Sequence, residues 1–89
     1  RIRLTQTEYS LLVLLFKRSG APVSRTDILE EVWGYAPQKR SDLRVVDVYV
    51  TRLRAKLEDD PSNPELIITI RGTGYLAQRL ANSAIGEGA

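Results

Sequence analysis

"RVVDVYVTRLRAKLEDDP", residues 44–61, is the stretch whose reading decides the fold. Val46, Val50, Leu53 and Leu57 step by four, three and four. At about 100° per residue they fall within roughly 60° of one another on a helix, which makes them the buried stripe. Taking the centre of that stripe as origin, Arg44, Val48, Thr51 and Ala55 lie on the far side. Tyr49 and Arg52 flank one edge, and Asp47 and Arg54 the other. The exposed face therefore mixes cations, small residues and one outward valine. The helix then runs into Glu58, Asp59 and Asp60. Negative charge at a helix C-terminus opposes the macrodipole, so these acids are expected to form a solvated end or a surface that repels phosphate.

Upstream, "YAPQKRSDL" (35–43) reads as a loop, with Ser41 or Asp42 able to cap the third helix. Before it, "SRTD" places Ser24 as a cap and Asp27 at the third position of a second helix. That helix carries Ile28, Leu29, Val32 and Trp33 and ends at Gly34. "TQTE" pairs Thr5 with Glu8 in a capping box. The first helix follows to about Arg18, with Tyr9, Leu12, Leu15 and Phe16 at helical spacing and Gly20 near its stop. "RIRL" alternates as a short strand would, cut off at its upstream side.

Downstream, Pro61 and Pro64 cannot extend the helix. "LIITI" (66–70) and "YLAQR" (75–79) are β-prone runs joined by "RGTG", a hairpin signal. The small residues of "ANSAIGEGA" suggest a flexible tail, 81–89, after a domain of 1–80. The order of strand fragment, three helices and hairpin describes an α+β winged helix-turn-helix with a truncated N-terminal strand platform. Its third helix would be the reader and its hairpin the wing.

Composition narrows the function. Eighty-nine residues make one small domain, and no run approaches the roughly 20 apolar residues of a membrane span. No secretion signal is evident; the chain starts at Arg1 and has no Met, as a piece of a longer protein would. The absence of Cys excludes disulfides and thiolate chemistry, and the absence of His removes the commonest metal ligand and neutral-pH proton carrier. With no paired carboxylate cluster either, an enzyme, a metal site and a cofactor are all unexpected. The net charge is only +2, but residues 39–57 hold six Lys/Arg against Asp42 and Asp47, whereas 58–65 hold four acids and no base. The charge is patterned, and this matters more than its sum.

Four ordered segments, "LTQTEYSLL", "VSRTDILEEVWG", "RVVDVYVTRLRAKLE" and "IRGTGY", resemble the OmpR/PhoB effector domain, the C-terminal output domain of two-component response regulators. The resemblance covers about Leu4 to Tyr75. "RLRAKLEDDPSNPELI" is similar to the RpaB-like cyanobacterial and plastid members, which implies a bacterial cytoplasm or a plastid stroma. The resemblance also implies an upstream receiver domain with its sensor kinase, a four-stranded platform, and head-to-tail pairing on direct-repeat DNA by a domain expected to be monomeric alone. It further implies an RNA polymerase contact in the loop between helices two and three, with Lys39 and Arg40 the residues there. Tyr49 stands where family members commonly have His, and Leu43 where they have a polar cap, so base preference does not transfer.

A helix with a projecting polar face fits the major groove, about 12 Å wide. Arg52 is the first choice for a base, since its fork can donate twice to guanine. Val48 would meet a thymine methyl, Asp47 would accept from cytosine N4 or hold a neighbouring Arg, and Thr51 would serve a base or a phosphate. Arg71 at the hairpin tip suits a narrow minor groove. Arg44, Tyr49, Arg54 and Lys56 are expected at phosphates, as are Thr69, Thr73 and the Gly72 amide in the wing; the family resemblance adds Trp33. The plainer readings are a solvated helix face, a core Trp33, an ordinary turn at "RGTG", and wing-base packing for Tyr75. The competing function is a protein-docking module of a transcription complex.

Overall fold

The computed structural model describes residues 2–18 and 20–78; the tail expected at 81–89 lies outside them. Helix α1 spans Gln6–Lys17, strand β1 Val23–Ser24 and helix α2 Arg25–Ile28, which continues as a π-helical turn over Leu29–Trp33. A 3₁₀ turn, Arg40–Leu43, leads into helix α3, Arg44–Leu57. Strands β2, Ile67–Ile70, and β3, Gly74–Ala77, form the hairpin. The sheet order is β1-β3-β2, antiparallel throughout. This is the expected winged helix-turn-helix.

Both caps read from sequence form. Thr5 Oγ1 accepts from the Glu8 amide at 3.1 Å while Glu8 Oε1 accepts from the Thr5 amide at 2.9 Å, and Ser24 Oγ accepts from the Asp27 amide at 3.0 Å. The third cap differs. Neither Ser41 nor Asp42 caps α3; Asp42 instead reaches back to the Gln38 and Lys39 amides at 2.8 and 3.2 Å and closes the 3₁₀ turn. The Gln38 amide, more than the second bond from Lys39, holds the Asp42 carboxyl below its ordinary range.

The core joins Leu11, Leu14 and Leu15 of α1, Ile28 and Leu29 of the second helix, Val46, Val50 and Leu53 of α3, and Val23, Ile67, Tyr75 and Ala77 of the sheet. The α3 stripe is as expected, with Leu57 half-buried at its end. The phase of α1 is not. Tyr9 is 57% exposed, whereas Glu8, next to it, is 2% exposed. "LLVLLF" is apolar on every side, so periodicity alone leaves its phase undetermined; the inward Glu8, bonded to the Lys56 ammonium at 2.6 Å, sets it.

"RIRL" forms no strand: its described residues lie outside every ladder. The sheet recruits β1 instead, pairing Val23 with Tyr75 and Ser24 with Gly74. Gly74 makes this possible, because a Cβ there would lie 2.0 Å from the Val23 carbonyl oxygen. The hairpin pairs Ile67 with Ala77 and Ile70 with Gly74, and closes through the Thr73 amide to the Ile70 carbonyl at 2.9 Å. Gly72 takes φ +75° at the tip.

Candidate nucleic-acid interface

Helix α3 exposes Arg44, Val48, Thr51, Arg52, Ala55 and Lys56. Val48 is 46% exposed in a helix whose other valines are buried or half-buried. Arg71, Gly72 and Thr73 are exposed at the wing tip, and Thr69 faces outward on β2. Among the described residues no carboxylate pairs with Arg44, Arg52 or Arg71. Among those residues their charge is therefore not neutralised.

Arg52 is nevertheless held. Its guanidinium carbon sits 4.9 Å from the centre of the Tyr49 ring, and Tyr49 in turn meets the edge of Trp33 at 5.2 Å between ring centres. A cation over an aromatic face gains about 0.5–1 kcal/mol at an exposed site, and it narrows the orientations a long side chain samples. Trp33 is half-buried and packs against the core. Thr51 donates its hydroxyl back to the Asp47 carbonyl at 3.0 Å, which leaves its methyl and oxygen lone pairs outward.

Several residues expected at DNA, Arg54 and Lys56 at phosphates and Asp47 at a base or on a neighbouring Arg, have partners within the fold. Arg54 donates through Nε and Nη2 to the Ile67 carbonyl at 3.0 and 2.7 Å and through Nη2 to Thr69 Oγ1 at 2.9 Å, so it fastens α3 to the wing. Lys56 donates to Glu8 at 2.6 Å and to the Arg3 carbonyl at 2.8 Å. Asp47 accepts from Arg25 Nη1 at 2.9 Å and from the Tyr75 hydroxyl at 2.6 Å. The acidic end is also partly structural. At the exit of α3 the Glu58 carboxylate accepts from the Glu65, Leu66 and Ile67 amides at 2.8 to 3.2 Å, which ties the helix end to the start of the wing. Burial raises its pKa, but those three amides together lower it further.

Arg25 joins this group without a signal in the sequence. It follows the cap Ser24, where any residue is tolerated, and nothing in the linear spacing connects it to Asp47, 22 positions on. The linear pattern gives Tyr75 wing-base packing alone, and its hydroxyl bond to Asp47, 28 positions away, has no local signature. Lys39 and Arg40 lie exposed where the interhelical loop enters the 3₁₀ turn.

The fold is that of an OmpR/PhoB-type winged-helix DNA-binding domain. Residues 1–77 match the family model described as "Transcriptional regulatory protein, C terminal", and the chain belongs to that family. It is 70% identical over 80 residues to the probable transcriptional regulator ycf27 of Galdieria sulphuraria, covering 90% of this chain and 31% of that protein. It is 47% identical over 77 residues to the DNA-binding response regulator MtrA of Mycolicibacterium smegmatis, covering 86% and 33%. The chain thus spans about a third of the length of the curated relatives it matches. Among solved structures it is similar to the response regulator DrrB of Thermotoga maritima, with TM-score 0.78, 37% identity, and 89% of this chain and 35% of that chain covered. It is also similar to the Klebsiella pneumoniae RstA DNA-binding domain in complex with the RstA box, with TM-score 0.75, 32% identity and coverage of 86% and 74%.

Proposed function

We propose that this domain binds duplex DNA in a sequence-dependent way, with α3 in the major groove and the wing at the minor groove, and that it regulates transcription as the output end of a two-component response regulator. One observation carries the reading. Among the described residues Arg44 and Arg52 of α3 and Arg71 of the wing tip have no acid partner, while Arg54 fixes the two elements to each other. A surface of that kind meets a polyanion at two places with its geometry set in advance. The complex of the related RstA domain with its box supports the assignment to DNA.

Within this reading Arg52 donates to guanine, Val48 meets a thymine methyl, Thr51 serves an adjacent base or phosphate, and Arg71 enters the minor groove. Arg44, the Thr69 and Thr73 hydroxyls and the Gly72 amide take phosphates. Tyr49 acts by supporting Arg52. Two domains sit head to tail on direct repeats, and the exposed Lys39 and Arg40 meet RNA polymerase. A receiver domain and sensor kinase control the process in a bacterial cytoplasm or plastid stroma.

The test is a fluorescence titration of the domain with labelled duplexes over a range of salt. Several phosphate contacts predict a log–log slope of about −0.9 per contact, together with tighter binding to one sequence than to its scrambled counterpart. Salt-independent behaviour, or no binding at low salt, would favour the protein-docking alternative.

A further inference from the structure

The Asp47 carboxylate is engaged on both oxygens by residues from different elements. The Tyr75 hydroxyl donates to Oδ1 at 2.6 Å from β3, and Arg25 Nη1 donates to Oδ2 at 2.9 Å from the first position of α2. One side chain thus ties together the helix of the turn motif, the reader and the wing. Both contacts are charge-assisted and short, the stronger class of hydrogen bond. Tyr75 is 9% exposed, and burial first, then the bond to Asp47, pushes its pKa up to about 12. The phenol therefore stays protonated and keeps donating at neutral pH.

The bonds sit beside the free end of the wing. Asp47, Arg25 and Tyr75 line a cleft of about 360 Å³ whose other wall is Thr69–Gly74, the turn that carries Arg71. Turning Asp47 towards a base would break a 2.6 Å and a 2.9 Å contact, and it would take this acceptor from both Tyr75 and Arg25. Two bonds to a charged acceptor would be exchanged for one to a base amine. The carboxylate is better used where it is.

We propose that Asp47 is a positioning residue, not a base reader: with Tyr75 and Arg25 it couples the reader to the wing, so that contacts made by Arg71 depend on contacts made by α3. The proposal rests on the DNA-binding reading above and assigns Asp47 a role within it. The Arg54 guanidinium lies over the same ring, 5.7 Å from its centre, so Tyr75 meets α3 through both its hydroxyl and its ring.

The experiment is a double-mutant cycle on a selected duplex using Tyr75→Phe and Arg71→Ala, with Asp47→Asn as a second probe. Tyr75→Phe keeps the packed ring and removes only the donor. Tyr75→Phe and Asp47→Asn are each expected to weaken binding about 3- to 30-fold, in the range seen when one partner of a contacting pair is lost, with base preference unchanged at every position. In the Tyr75→Phe background the cost of Arg71→Ala is expected to shrink at least about 3-fold, a coupling that loss of stability alone would not produce. Additive losses would overturn the proposal. So would a changed preference at one base pair for Asp47→Asn, the mark of a direct cytosine contact. If the wild-type domain fails to discriminate between duplexes, the DNA reading is what fails. Hydrogen exchange on the free protein then tests the link itself: faster exchange of the Thr73 amide in Tyr75→Phe is expected, and an unchanged rate overturns it.

Discussion

The Arg54 guanidinium grips a single backbone oxygen, the Ile67 carbonyl, with Nε at 3.0 Å and Nη2 at 2.7 Å. That carbonyl belongs to the first residue of the wing. A cation expected to face phosphate is here the fastening between reader and wing, and a lysine, with one nitrogen in place of a fork, cannot reproduce it. Arg54→Lys is expected to lower unfolding free energy by about 1–2 kcal/mol, as for loss of a hydrogen bond to a charged donor. Urea denaturation measures it; a loss confined to DNA affinity, with stability unchanged, would assign Arg54 to phosphate.

Two wing glycines separate crowding from strain. A Cβ on Gly74 meets the Val23 carbonyl at 2.0 Å, whereas one on Gly72 meets open space at φ +75°. Gly74→Ala should cost about 1–3 kcal/mol or more by forcing β1 off β3. Gly72→Ala should cost only about 1 kcal/mol, the penalty of a left-handed alanine. Thermal melts of the two variants give the order, and equal losses would contradict the β1–β3 register.

Acid should unfold the domain through two carboxylates. The Lys56 bond first and the Thr5 amide next hold Glu8 below the ordinary 4.5, and the amides around Glu58 outweigh its burial with the same net direction. Both groups bind a proton less readily folded than unfolded. Their stabilisation is therefore whole above about pH 5 and is lost as pH falls through the depressed folded values. Melting temperature should drop on that limb, and Glu8→Gln should flatten the drop; an unchanged slope would mean that the Glu8–Lys56 pair contributes nothing.

What could be read from sequence was local. The Thr5/Glu8 and Ser24 caps, the Val46/Val50/Leu53 stripe and the hairpin depend on residues within a few positions of each other. What could not be read was set by distant partners. The two-residue β1 exists only because Gly74 admits it. Tyr9 turns outward because Lys56, 48 positions from Glu8, draws Glu8 inward. The same limit divides the surface: Arg52, Val48 and Arg71 were legible as outward residues, whereas Arg54, Lys56 and Asp47 have internal partners 13 to 53 residues away. Helical phase shows that a side chain leaves the core, not what it then meets.

The most direct measurement is selection of duplexes from a random library by the wild-type domain and by Arg52→Ala, side by side. If α3 reads bases, the wild type recovers a defined motif, and Arg52→Ala relaxes one position of it at a cost of about 1–3 kcal/mol while leaving the others intact. Recovery of the same motif with unchanged preference by the variant would contradict the assignment of Arg52 as reader. Salt-sensitive binding with no motif from either protein would contradict sequence-dependent recognition by α3.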